Sequence, residues 1–286
     1  GALTTKAIEG YAAQEQLVGG VETLFKTSSD TVVGYANDAY KTAGMSANEY
    51  METVTSFSAS LLASMNNDTA AAAEKANVAI TDMSDNANKM GTDISLIQNA
   101  YNGFAKQNYT MLDNLKLGYG GTKEEMQRLL DDASKLSGIK YDISSYSDVV
   151  DAIHVVQTEM GITGTTAKEA STTIEGSVSS MSSAWDNWVA GMADSEANFS
   201  QLTSNLVDSI VTVVGNIAPR VIETVPRLVS GLGEIVEQLA TYIPQVIQEL
   251  LPPLMSGVQD LLNTLVGMLP EMISIIGQII PTIIDT

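Results

Sequence analysis

Toward the end of the chain, Leu206, Ile210, Val213, Val214, Ile217 and Val221 follow one another at helical intervals and form a wide apolar stripe. Apolar residues make up 41 of the 81 positions from 206 to 286. A helix with so broad an apolar face must pack against other helices, other chains or lipid. All the prolines of the chain fall between Pro219 and Pro281, and they predict helices cut every 7 to 18 residues. The reason is that a proline lacks the N–H its turn needs and crowds the residue before it. The longest stretch of this segment without Asp, Glu, Lys or Arg is Met272–Ile284, thirteen residues. A membrane-spanning helix needs about 20, so the expectation is not an ordinary transmembrane segment. Two readings stay open, an oligomeric bundle and conditional membrane insertion.

The same segment repeats itself. Pro226–Leu239 aligns without a gap on Pro252–Leu265, 26 residues later, sharing Leu228/Leu254, Gly231/Gly257 and Leu239/Leu265. Pro244 and Pro270 keep the same offset, and a third copy is cut off after Pro281, which reads as a native chain that continues.

Residues 1–200 carry a different pattern, short helices separated by caps and glycines. Ser46 and Glu49 have the spacing of a capping box, followed by a helix to about Met65. Asp68 caps an Ala-rich helix that ends near Met90, with Gly91 as its left-handed stop. Thr110 to Asp113 open a short helix ending at Gly118. Thr122 and Glu125 form a second capping box, for a helix to Ser137 stopped by Gly138. Ser145 with Asp148 opens a helix through His154 to Met160, and one longer helix is expected from Thr166 to about Val189. No sustained period-two alternation and no hairpin dipeptide occurs, so the fold class is all-α: a string of capped helices followed by Pro-interrupted apolar helical repeats. The regional boundary is placed near 195–205, giving residues 1–200 and residues 201–286.

Charge supports that division. Of 14 basic and 34 acidic residues, residues 201–286 hold only Arg220 and Arg227 against eight acids. The net charge of −20 repels phosphates, so no specific nucleic-acid binding is expected. The chain has no cysteine, which excludes disulfides, cysteine-ligated metals and cysteine nucleophiles. Its one histidine, His154, excludes a multi-histidine metal site and leaves a single route to a Ser-His-Asp triad. No signal peptide is visible in the first thirty residues.

Candidate chemistry is sparse. Gly118-Tyr119-Gly120-Gly121-Thr122 could cradle a phosphate before a helix, but it lacks a preceding strand and the P-loop spacing, so it reads as a turn. His154 reads as a packed or surface residue. The acidic pairs Glu124/Glu125 and Asp131/Asp132 point about 100° apart on a helix and read as solvated surface. Trp185 and Trp188 share one helix face and read as core or contact residues, with membrane-interface anchoring as the alternative, and the 13 methionines read as packing. No catalytic, cofactor-binding or metal-binding residue is assigned, no cofactor is expected, and the chain is read as a non-enzyme.

Three blocks of sequence carry a resemblance. They are Asn108–Met126, Ile153–Gln157 with Gly161–Ala170, and Thr173–Ser177 leading to Ala184–Trp188. Across about residues 35–210 the chain resembles the tail tape-measure proteins of long-tailed phages and prophages, and its apolar end is similar to the hydrophobic region of that family. Members are commonly much longer, so the chain reads as an internal portion. The resemblance implies a virion structural protein that lies in the tail lumen, assembled in the bacterial host cytoplasm, and sets tail length. It also implies that the apolar region aids genome delivery. Its implied partners are tail-tube and baseplate or tail-tip proteins, tail assembly chaperones, further copies of itself and the host membrane. The alternative from the residues alone is a membrane-permeabilising phage-borne or secreted protein. A muralytic enzyme is a third reading, with no support in the sequence.

Overall fold

The structure is a computed structural model and describes residues 1–242 and 252–270. Among these residues the regular elements are helical and none is a strand, so the chain is all-α. It divides into two units, Gly1–Pro219 and Arg220–Thr286.

In the first unit, α1 (Ala2–Phe25) and α2 (Ser29–Thr42) precede the first capped helix. Ser46 and Glu49 close the expected capping box at the start of α3 (Ala47–Ser64). Asp68 caps α4 (Thr69–Met90), and Gly91 ends it at φ 67°. Ala72, Ala73, Ala76 and Ala79 are fully or almost fully buried on α4. Small side chains let neighbours approach closely, and α4 accordingly packs against α1, α2, α3, α5 (Ile94–Ala105), α7 (Tyr146–Glu159) and α8 (Thr165–Thr172). Around it Phe25, Phe57, Leu61, Ile80, Met83, Ile97 and Phe104 are withdrawn from water. Burying each such side chain stabilises the fold by about 1.5–3 kcal/mol. Methionines divide by place: Met51, Met83 and Met126 fill this core, whereas Met160 and Met192 are exposed.

Several local expectations need correction. The helix expected from Thr110 to Gly118 is one 3-10 turn, Leu112–Leu115, closed by Lys116 at φ 54°. Asn108 Oδ1 accepts the Thr110 N–H and holds a turn there, and Leu112 and Leu115 are buried at the i, i+3 spacing of a 3-10 turn. Thr122 caps α6 (Lys123–Ser137), but its capping box is not reciprocal, because the Glu125 carboxylate turns to Gly120 and Arg128 instead. The helix expected from Thr166 to Val189 is two, α8 and α9 (Ile174–Gly191), with Thr173 extended between them at φ −116°, ψ 155°. Thr173 Oγ1 accepts the Gly176 N–H, so a cap replaces a helical turn. At this corner the backbones of Gly176 and Glu169 are so close that a Cβ on Gly176 would overlap the Glu169 carbonyl. Gly176→Ala is expected to cost about 1–3 kcal/mol of stability through this overpacking, read as a lowered midpoint of denaturant unfolding.

At Pro219 and Pro226 the expected helix breaks do not occur. α10 runs unbroken from Phe199 to Tyr242 through Pro219 and Pro226. A proline removes one hydrogen bond, and a long helix can resume its ladder on either side. Its first turns belong to the first unit, where Leu206 is buried with Tyr40 and Ala184, beside Met181, Trp188 and Ile210. The unit division falls at Pro219/Arg220, so the first turns of α10 lie within the first unit. In the second unit, residues 220–242 continue α10 and residues 252–270 are helical, with Pro252 and Pro253 as the first described positions of that stretch. Pro244, Pro281, the run Met272–Ile284 and the third repeat copy lie outside the described residues.

Candidate functional site

Two features stand out from the packing, a polar seam on α4 in the first unit and an open apolar face in the second. Asp82, Asp85 and Asn86 sit on α4 and are at most 1% exposed. Buried polar groups need partners, and α7 and the α7–α8 turn supply them. His154 Nδ1 lies 2.9 and 3.0 Å from the two Asp82 oxygens. Gln157 donates to the Asp82 carbonyl at 3.1 Å, and Asn86 donates to Gln157 Oε1 at 2.8 Å and to the Leu115 carbonyl at 2.9 Å. Asp85 accepts the N–H groups of Gly164 at 2.7 Å and Thr166 at 2.8 Å, beside the start of α8. Lys75 pairs with Asp151 between the same two helices, α4 and α7.

The electrostatics follow from burial. Desolvation pushes the Asp82 carboxyl up to about 6, and the opposing hydrogen bond and charge of His154 do not offset it. The His154 imidazole is raised above its ordinary value, first by its hydrogen bond to Asp82, against the opposing effect of burial. Above about pH 6 the Asp82 carboxylate only accepts, so there Nδ1 carries the proton. His154 is thus a packed, half-exposed partner of a carboxylate 72 residues away in sequence. The expectation of a packed or surface histidine covers its place, while sequence reasoning missed Asp82 and the seam. None of the clefts lined by Glu49, by Trp185 or by Tyr146 includes His154. Among the described residues, no group of three His, Asp or Glu side chains is placed to hold a metal.

The glycine turn is filled by its own chain. Glu125 accepts the Gly120 N–H at 2.9 Å and two Arg128 donors, at 3.0 and 2.7 Å. Its carboxyl falls to about 2, chiefly through Arg128 and then through Gly120. Arg128 also donates to the Gly118 carbonyl at 2.8 Å and stacks 4.3 Å over the Tyr119 ring, whose hydroxyl donates to Asp132. The N–H that could meet a phosphate therefore meets a carboxylate. One member of each acidic pair, Glu125 and Asp132, pairs with Arg128 on the solvated surface of α6. Trp185 and Trp188 lie 5.3 Å apart, and Trp188 stacks on Phe199 and donates to Thr203 Oγ1 at 3.0 Å, which joins α9 to α10.

In the second unit the two repeat copies present apolar residues to solvent at matching positions. Leu228 and Leu254, Val229 and Met255, and Ile235 and Leu261 are all exposed. Along α10, Val221, Val225, Leu228, Leu232 and Ile235 keep an alternating spacing of four and three, and Leu254, Val258, Leu261, Leu265 and Met268 do the same. That is the spacing of a helix–helix seam. With Ile222 and Val229 beside it, the face is broader than a two-stranded seam requires. Phe199–Glu237 is also long and apolar enough, by length and composition, to cross a membrane. The sequence expectation counted only stretches free of charge, whereas length and composition here admit up to two charged residues in eighteen, so the two readings stand side by side.

No family model, curated protein or solved structure matches the chain.

Proposed function

We propose that this chain is a portion of a phage tail tape-measure protein, a structural ruler whose apolar end aids genome delivery. The observation that supports this most is the repeat: two 26-residue copies, both helical where described, with matching apolar positions exposed. Each helical copy adds a fixed increment of about 39 Å. The exposed seam needs a cover, which further copies of the chain, an assembly chaperone or the tube wall would provide. The polar seam on α4 has only structural work in this reading, in keeping with a non-enzyme.

The test is made on the parent particle. Deleting residues 226–251 is expected to shorten the tail by about 39 Å, measured by electron microscopy on assembled particles. Tails of unchanged length with failed infection would move this segment from ruler to delivery device. The second reading, membrane permeabilisation, is favoured by the length and composition of Phe199–Glu237. Dye release from liposomes by the full chain, abolished by charged substitutions at Val225 and Leu228, is the result that reading requires.

A further inference from the structure

A cleft of about 520 Å³ opens in the first unit between the turn after α2, α3, α4, α5 and α9. That is within the size of small-molecule pockets, about 300–1,000 Å³. Ser84 lines it from α4, is 2% exposed, and its Oγ has no hydrogen-bond partner among the described residues. Helical serines commonly return their hydroxyl to the carbonyl four residues earlier, as Ser134 and Ser209 do here. Ser84 does not, and a buried hydroxyl left unpaired is costly.

The mouth of the cleft offers matching polar groups. Gln98 donates to Thr53 at 3.1 Å, which leaves its carbonyl oxygen to accept. Asn102 accepts from Ser56 at 3.1 Å, which leaves its amide N–H groups to donate. Asn99 also lines the cleft. The charged side chains that line it are Glu49 and Glu52, and no Lys, Arg or His does. Glu49 is committed to the Ser46 N–H at 2.8 Å. Anions are therefore repelled. Met45 and Ile94 add apolar surface beside the amides.

We propose that this cleft binds a neutral, hydroxyl-rich small molecule of the saccharide class, with the Ser84 hydroxyl as its innermost contact. Each sugar hydroxyl both donates and accepts, which suits a lining of amide carbonyls, amide N–H groups and one unpaired hydroxyl. The C–H faces of the ring suit Met45 and Ile94. This site is independent of the ruler reading, and each can fail without the other.

The experiment titrates the full chain with lactose, maltose and cellobiose by calorimetry and by saturation-transfer NMR, alongside their hexuronate and amino-sugar counterparts. At least one neutral disaccharide is expected to bind with a millimolar or tighter Kd, and its hexuronate counterpart more weakly. Ser84→Ala is expected to weaken binding roughly five- to tenfold, with the melting curve retained. Gln98→Ala, at the rim, reports on the same site if the core variant loses its fold. Absence of binding by all three neutral sugars overturns the proposal. So does equal binding by the Ser84 and Gln98 variants, or binding confined to the amino sugars.

Discussion

Asp85→Ala is expected to lower the unfolding free energy by about 3–5 kcal/mol, among the largest effects of any single change in this chain. The carboxylate accepts two backbone N–H groups, from Gly164 and Thr166, in a site where Asp85 is fully buried. Hydrogen bonds to a charged group contribute about 1.5–3 kcal/mol each, and their loss leaves the Thr166 N–H buried without its acceptor. Asp85→Asn can still accept one of the two and is expected to lose about half as much. Denaturant unfolding of the full chain, followed by helical circular dichroism, measures both. A loss below about 1 kcal/mol for the alanine variant would mean that α8 does not depend on this clamp.

The second large effect is on pH. The Asp82 carboxyl is raised in the folded chain to about 6 from an ordinary value near 4, so folding takes up a proton there. Its contribution is fully present below the unfolded value and is lost as pH rises through about 6. His154 is raised as well, so its contribution is present below its ordinary value and is lost as pH rises through its higher folded one. Both act in the same direction. The groups facing the pair are Asp85 and Lys75 from α4, Asp151 from α7 and Tyr101 from α5. The lowered carboxyls, Asp93, Glu125, Asp132 and Asp142, act oppositely below about pH 4, but they lie at the surface where solvent screens them. Thermal stability is thus expected to peak near pH 5 and to fall by on the order of 2–3 kcal/mol toward pH 8. Asp82→Asn keeps the shape of the carboxyl and removes its titration, so its melting temperature should vary much less across that range. A wild-type melting temperature that rises from pH 5 to 8 contradicts this account of the seam.

The helix starts and stops that sequence made legible are those made by a side chain meeting its own backbone a few residues away. Ser46 with Glu49, Asp68 and Ser145 are of this kind, and Gly91 and Gly138 stop their helices through their own backbone in the left-handed region, each where its spacing placed it. The misplaced features depend on groups distant in sequence or on context. Glu125 was drawn from Thr122 by Arg128 and Gly120. The break at Thr173 is set by the approach of Gly176 to Glu169. The continuity of α10 through Pro219 and Pro226 reflects helix on both sides. His154 was visible as the only histidine, yet its partner Asp82 is one acid among 34, and nothing in local spacing joins them. Ser84 carried no signal at all, since an unpaired hydroxyl is defined only by what surrounds it.

The packing of helices about α4 bears on how length is counted along such a chain. Within the first unit the chain doubles back on itself, so its contour and its end-to-end reach are different quantities. An added turn in a loop there lengthens the contour and leaves the reach alone, whereas an added turn in residues 252–270 advances the helix by about 5.4 Å. On the ruler reading, the folded first unit contributes a fixed length, and only stretches of single helix contribute length in proportion to their residues. Equal deletions would then give unequal changes in tail length, stepwise in one part of the chain and proportional in the other.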